Sequence, residues 1–208
     1  MAKINISLSM PYLLEGTYTP DWAITLEVNI EHLEQLHKRH PKRIADYHMP
    51  MSKKVFPLMY CRYKNLDVYY VEQFNRIQYC VEVEHYETNG LVELHTLSQT
   101  SVWRNKNYGD LFGIAKWVFD TILMPKNKNI MSDSIQSADG KNFWGRRIME
   151  ALMEHKHVYA LWLYGASTLE VLQLEPLTSL DNLDDYYTTK DDLSGKYWRF
   201  IISDKDLE

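Results

Sequence analysis

The residues best suited to chemistry form the segment RNKNYG, from Arg104 to Gly109, at the junction of a predicted strand and a predicted helix. The first backbone N–H groups of a helix have no partner inside it, so such a junction can bind an anion. Arg104 and Lys106 add positive charge, while Asn107 and Gly109 tolerate the positive φ that a phosphate-cradling loop requires. The alternative is an ordinary strand-to-helix turn, since loops with Asn and Gly before helices are common.

Two other sets of residues have the chemistry of metal ligands but not the spacing. His32, His37 and His40 lack the HExxH arrangement, and no carboxylate lies where that motif needs one, so a solvated helix face is the better interpretation. Cys61 and Cys80 lie in tyrosine-rich segments without a CxxC motif, which favours buried free thiols. The sequence therefore predicts no metal.

The elements that would position the RNKNYG loop follow from hydrophobic periodicity. Strand-like segments separated by short turns, the last of them Thr88 to Gly90, predict an antiparallel meander. Helical spacing of apolar residues then predicts two amphipathic helices, and the remaining apolar runs predict short strands. The predicted strands are 58–63, 66–74, 77–86, 91–103, 129–133, 158–164 and 196–203, and the predicted helices are 111–122 and 138–155.

The N-terminal part of the chain is less regular. Ile4, Ile6 and Leu8 alternate as in a short strand, and period-two spacing continues over 22–28, whereas 30–40 has helical spacing. Residues 41–57 contain three prolines and five basic residues and predict a long loop that is either solvated or a basic contact surface.

Composition sets outer limits on fold and function. With 208 residues, 45% of them hydrophobic, the chain can bury one sizeable core, and we expect a single domain over 1–208 with an N-terminal part (1–57) and a central motif at 92–144. The formal net charge of -5 gives no general reason to expect nucleic acid or an anionic membrane as partner. Without a signal-peptide pattern or a membrane-spanning apolar run, a cytoplasmic location is expected.

Residues 66–165 resemble the GNAT superfamily of N-acetyltransferases, especially its divergent members encoded by bacteriophages. That family has an acyl-CoA loop of the form Q/R-x-x-G-x-G/A after a central strand, and Arg104, Asn107 and Gly109 fall in register with it, with Asn107 in place of the first glycine. The resemblance implies a mixed, mainly antiparallel sheet with helices on both faces. It also implies acetyl-CoA as cofactor, bound by Val102, Arg104, Asn107, Tyr108 and Gly109.

The resemblance further suggests catalytic residues. In the family a glutamate on the central strand acts through water as general base, and Glu93 lies near that position, with His95 on the same strand face as a second candidate. A solvent-facing pair on an alternating strand is the alternative. Asp133 and Ser134 would face the loop across a cleft, either contacting ligand or capping the next helix.

Three residues depart from the family's pattern. Trp144 stands where many members have the tyrosine that protonates the departing thiolate, and an indole N–H is not a useful acid near neutral pH. Asp110 would cap the helix but repel a pyrophosphate, and Tyr108 adds bulk to the loop. These departures support a second hypothesis, a GNAT-like binding or structural protein with a phage or host protein partner, which a virion location would also suit.

Overall fold

The computed structural model of the protein describes residues 22–50, 52–63, 66–86, 88–90, 97–104, 111–132, 138–164, 169–181, 183, 186 and 196–207. In chain order, the first elements are helix α1 (Trp22–His37) and strands β1 (Lys42–His48), β2 (Val55–Tyr63), β3 (Leu66–Gln73), β4 (Arg76–Tyr86), β5 (Thr88–Gly90) and β6 (Leu97–Arg104). A helical stretch follows, made of α2 (Ile114–Val118), a π-helical turn (Phe119–Leu123) and α3 (Met124–Lys126). The remaining elements are β7 (Asn129–Met131), α4 (Ala138–Met153), β8 (His157–Tyr164), β9 (Leu169–Pro176) and β10 (Lys196–Ser203).

Contacts between residues divide the chain into two compact units. The first comprises Met1–Glu82 and Ser101–Ala115, and the second comprises Val83–Thr100 and Lys116–Glu208. The expected single domain over 1–208 stays a prediction. Of the helices that the structure describes, none combines the length and the apolar composition needed to cross a bilayer.

The first unit contains the predicted meander. Its strands lie in the order β1-β2-β3-β4, and both β1 with β2 and β2 with β3 are antiparallel. β3 and β4 are joined by two residues, Phe74 and Asn75, whose φ values of 54° and 58° are both positive. Two positive φ values are what a type I′ hairpin turn requires, so this connection fixes the antiparallel turn between the strands.

Helix α1 supplies the apolar cover of this sheet. Leu33 and Leu36 are 3% and 1% exposed, and they belong to one buried cluster with residues of β2, β3 and β4. The strand members of that cluster are Cys61, Val68, Tyr70, Ile77 and Cys80. Burial of leucine side chains against a sheet is the main force that holds a helix of this length in place.

Two predictions for the N-terminal part are wrong. The alternating residues 22–28 belong to α1, not to a strand, because the whole of Trp22–His37 is helical. Residues 41–57 are not one long loop, because Lys42–His48 forms β1 and Val55 begins β2. The basic residues at the start of β1 are typical of a charged sheet edge, because Lys42 and Arg43 are exposed whereas Tyr47 in the same strand is buried. The strand predicted near residues 4–8 lies outside the described residues.

The second unit holds the C-terminal strands. Its strand order is β6-β7-β10-β8-β9-β5, in which β6 with β7 and β5 with β9 are parallel and the other described pairs are antiparallel. β8 and β10 pair along their whole length, from Lys196 with Tyr164 to Ser203 with His157. The described strand pairs are therefore mixed and mainly antiparallel, as predicted. The GNAT-like arrangement with helices on both faces stays a prediction.

Most predictions for the second half of the chain are confirmed. The helix expected at 138–155 is α4, the buried strand expected at 158–164 is β8, and the last strand occupies 196–203 as expected. The turn expected at Thr88–Gly90 is wrong, because these residues form β5 and pair with Leu169, Glu170 and Val171 of β9. β9 itself was not anticipated.

Candidate functional site

The structure describes only some of the residues singled out for chemistry. Val102 and Arg104 lie in β6, where Val102 is partly buried and Arg104 is the last residue of the strand. The other members of the expected loop, base and cleft fall outside the described residues, so their roles stay predictions. They are Glu93, His95, Asn107, Tyr108, Gly109, Asp133 and Ser134.

The helix that follows the RNKNYG loop begins from a fixed turn. Gly113 has a φ of 81°, and the Tyr47 hydroxyl of β1 donates a hydrogen bond to the carbonyl oxygen of Phe112. A Cβ atom at Gly113 would lie 3.2 Å from that hydroxyl oxygen, so glycine fits both the space and the backbone conformation. Burial raises the pKa of Tyr47, which keeps the phenol protonated as a donor.

Trp144, expected at the cleft, packs in an aromatic cluster of the second unit. It is 3% exposed, and its ring meets Phe119 and Phe143 edge to face at centroid distances of 5.9 and 6.3 Å. Edge-to-face pairs at such distances stabilise a core beyond simple burial. In the described structure the side chain therefore has a packing role, while its place beside a ligand stays a prediction.

A network of charged residues lies beside this aromatic cluster. Lys116 Nζ is 2.8 Å from Asp120 Oδ2 and 2.7 Å from Glu150 Oε2. Arg147 Nη1 and Nη2 lie 3.3 and 2.8 Å from the other oxygens of the same two carboxylates, and its guanidinium lies 5.6 Å from the ring centroid of Phe143. Both cations already contact carboxylates, so the network stabilises the helices rather than offering a site for an anion.

A different group of reactive side chains meets in the first unit. Cys80 and Glu82 are two residues apart on β4 and so share one face of the sheet. Helix α1 packs on the sheet through Leu33 and Leu36 and brings His32 next to them. The ligating nitrogen, sulfur and oxygen atoms of the three residues all lie within 4.8 Å of one another, and His32 Nε2 is 3.7 Å from Glu82 Oε1.

This His32–Cys80–Glu82 cluster is withdrawn from solvent. The side chains of His32 and Glu82 are 9% and 6% exposed, and Cys80 is fully buried. Within the described part of the chain, Nε2 of His32 has no hydrogen-bond partner, since 3.7 Å is too long for a hydrogen bond to Glu82. An unsatisfied buried polar atom costs about 1–3 kcal/mol, so its position calls for an explanation.

The protonation states limit what the cluster can do. Burial lowers the pKa of His32 to about 4, and the charge of Arg39 acts in the same direction. Burial also raises the pKa of the Cys80 thiol well above its ordinary value, and the Glu82 carboxylate and Cys61 raise it further. At neutral pH the imidazole is therefore neutral and the thiol protonated. A cysteine nucleophile needs the opposite, a thiol pKa that its neighbours lower.

The sequence alone does not reveal this cluster, because its members are far apart in the chain. The solvated face predicted for the three histidines holds for His37 and His40, which are exposed, but is wrong for His32. A local signal did exist: His32 adjoins Leu33 and precedes Leu36 by one helical turn, so it borders the apolar stripe. Nothing in the local sequence indicates that this stripe faces β4.

The prediction of buried free thiols is confirmed. Cys61 and Cys80 are both free and buried. They lie on β2 and β4, with β3 between them. At about 4.8 Å per strand, two such positions are roughly 10 Å apart, which is beyond the reach of a disulfide.

Comparisons were made between this chain and protein-family models, curated proteins and solved structures. No family model matches the chain, and neither the curated proteins nor the solved structures gave a match.

Proposed function

We propose that the protein is an acyl-CoA-dependent N-acyltransferase of GNAT-like type, acting on a protein or small-molecule amine. The observation that carries the proposal is the order of β6, the helical stretch and β7 around the RNKNYG segment, with β6 parallel to β7 at Ser98–Ile130 and Gln99–Met131. Neighbouring parallel strands need a crossover connection, and ligands of α/β sheets bind beyond the carboxyl ends of such strands. The RNKNYG segment begins at the carboxyl end of β6 and leads into the crossover helix.

In this reaction one segment would bind the cofactor and a strand residue would act as the base. Backbone N–H groups of residues 104–110 would bind the pyrophosphate of acetyl-CoA, with Arg104 adding positive charge. Glu93, or else His95, would accept a proton from the acceptor amine as its nitrogen attacks the thioester carbonyl. The carbon–sulfur bond would then break as the amide forms, and CoA would leave as a thiolate that takes a proton from solvent. The fixed turn at Gly113 and Tyr47 supports the loop, because it holds the start of the following helix in one conformation.

The first test is direct binding of acetyl-CoA by isothermal titration calorimetry. Replacing Asn107 or Gly109 with valine should weaken binding, because a β-branched residue disfavours positive φ and adds bulk to the loop. Asn142→Val is the matched control, since Asn142 is exposed on α4. Absence of binding at millimolar acetyl-CoA, in protein whose circular dichroism shows it to be folded, would refute the proposal.

A second test concerns turnover. Release of free CoA thiol from acetyl-CoA, measured with a mixture of polyamines and lysine-containing peptides, should fall by about 100-fold or more in Glu93→Gln while acetyl-CoA binding is kept. If the rate of CoA release falls by the same factor in His95→Gln but not in Glu93→Gln, His95 is the base instead.

A second candidate function is a GNAT-like binding or structural protein without catalysis. The burial of Trp144 among aromatic rings favours it, because the residue at the expected proton-donor position is committed to packing. Binding of a phage or host protein together with an absence of CoA release would favour this candidate, and turnover with any defined amine would exclude it.

A further inference from the structure

The His32–Cys80–Glu82 cluster has the composition of a transition-metal site. Imidazole nitrogen, thiolate sulfur and carboxylate oxygen are the three ligand types that proteins use for zinc. Magnesium and calcium are excluded by the same donors, because those ions take oxygen ligands. Cys80 is not suited to act as a nucleophile, because burial keeps its thiol protonated at neutral pH.

The geometry of the cluster is close to that of a bound ion. Two ligands of a tetrahedral zinc ion, each with a bond of about 2.1 Å, lie about 3.4 Å apart. His32 Nε2 and Glu82 Oε1 are 3.7 Å apart, and no two of the three ligating atoms are separated by more than 4.8 Å. Small rotations of side chains would therefore bring all three atoms to bonding distance of one ion.

The unsatisfied nitrogen points to the same ligand. Nε2 of His32 belongs to a side chain that is 9% exposed, and it has no hydrogen-bond partner within the described part of the chain. A neutral imidazole nitrogen carries the lone pair that a metal ion accepts. The nitrogen lies 3.7 Å from Oε1 of Glu82, a second member of the cluster, so one ion between them would satisfy it.

Charge balance also favours a divalent ion. With Cys80 as thiolate, Glu82 as carboxylate and His32 neutral, the three ligands carry two negative charges, which a divalent ion neutralises. A neutral complex is much less costly to bury than separate charges. Arg39 is a positive neighbour that opposes a cation at His32, but its single charge is smaller than that of the two anionic ligands.

From the geometry and the donor set together, we propose that His32, Cys80 and Glu82 bind one divalent transition-metal ion, zinc by preference, which ties α1 to β4. Three protein ligands leave a fourth position for water or another small ligand. Binding releases the proton of the Cys80 thiol, because a metal ion stabilises the thiolate. This site is independent of the proposed acyltransferase.

The test uses the full chain, stripped with a chelator, dialysed and titrated with Co²⁺ and then Zn²⁺. We expect one Co²⁺ per chain, a near-ultraviolet thiolate-to-cobalt charge-transfer band, and loss of that band when zinc displaces cobalt. Zinc at 100 times its Kd should raise the unfolding temperature by about 5 °C. A chain that binds neither ion stoichiometrically at millimolar concentration would overturn the proposal.

Matched variants identify the ligands. Cys80→Ser should abolish the charge-transfer band, and His32→Gln and Glu82→Gln should each weaken zinc binding by about 100-fold or more. Cys61→Ser and His37→Gln are the controls, because they remove a buried thiol of the same core and an exposed imidazole of the same helix. Should Cys80→Ser fail to fold by circular dichroism, the His32 and Glu82 variants decide the test. Binding that survives in those two, or a band that depends on Cys61 instead, would refute the assignment.

Discussion

The hydroxyl of Tyr47 joins two parts of the first unit that are distant in the sequence. It lies on β1 and donates to the carbonyl of Phe112, next to the glycine that begins the helical stretch. Tyr47 is 3% exposed whereas Phe112 is 73% exposed, so the bond is partly shielded from water. The hydroxyl of Tyr47 thus holds the turn at Phe112 and Gly113 from which α2 begins.

Tyr47→Phe should therefore lower the free energy of unfolding by about 1–2 kcal/mol, because the Phe112 carbonyl loses its donor. The measurement is urea denaturation followed by circular dichroism. Tyr70→Phe is the matched control: Tyr70 is fully buried, and its hydroxyl has no hydrogen-bond partner within the described residues. Its removal should be neutral or stabilising, and equal losses in both variants would contradict the role given to Tyr47.

At the scale of elements, α4 is held to the preceding helical stretch by both apolar and charged contacts. Phe119 starts the π-helical turn, in which the backbone N–H of Met124 bonds to its carbonyl, and the same residue packs on Trp144. Arg147, one turn further along α4, pairs with Asp120 of the π-helical turn. The wider turn of a π-helix shifts these two side chains relative to an α-helix.

Arg147→Met should destabilise the protein by about 1–2 kcal/mol. The guanidinium is 5% exposed, but Asp120 and Glu150 are 45% and 34% exposed, so solvent screens part of the loss. Arg146→Met, at an exposed neighbouring position, should change stability by less than about 0.5 kcal/mol. Thermal unfolding at low and high salt would measure both. An Arg147 effect no larger than the Arg146 effect would show that the network contributes little.

Local sequence predicted elements well where one periodicity dominates. The run VYALWLY is short, apolar and continuous, and it forms the buried strand β8. The segment 22–28 was ambiguous, because two of its alternate apolar residues, Trp22 and Leu26, are also about one helical turn apart. The strand β1 is not predicted by its sequence, because its charged residues suit a loop as well as a sheet edge.

At the scale of the whole molecule, the formal charge predicts that the protein does not bind nucleic acid. The chain carries a formal net charge of -5, and the basic residues of 41–57 are shared between β1 and the exposed Lys53 and Lys54. Binding to the phosphate backbone requires several cations acting together. The exposed cations of this segment are Lys42, Arg43, Lys53 and Lys54, and Arg43 is already paired with Asp46, so they are few on a chain of net negative charge.

We expect no retention on double-stranded DNA at 150 mM salt, because the net repulsion exceeds the attraction of the few exposed cations in 41–57. The measurement is elution from a DNA column across a salt gradient. Retention that declines with salt and disappears in the double variant Lys53→Gln, Lys54→Gln would contradict this expectation. It would support a basic contact surface over residues 41–57.

The sequence by itself determined the elements with strong local periodicity: the hairpin strands β2 to β4, the helix α4 and the strands β8 and β10. It also suggested the loop from Arg104 to Gly109 as a cofactor site, which stays a prediction. Only the tertiary structure decided that residues 22–28 are helical, that β1 is a strand, and that His32 meets Cys80 and Glu82. The reason is physical: periodicity reports which face of a segment is apolar, whereas the identity of the segment it faces depends on contacts between distant parts of the chain.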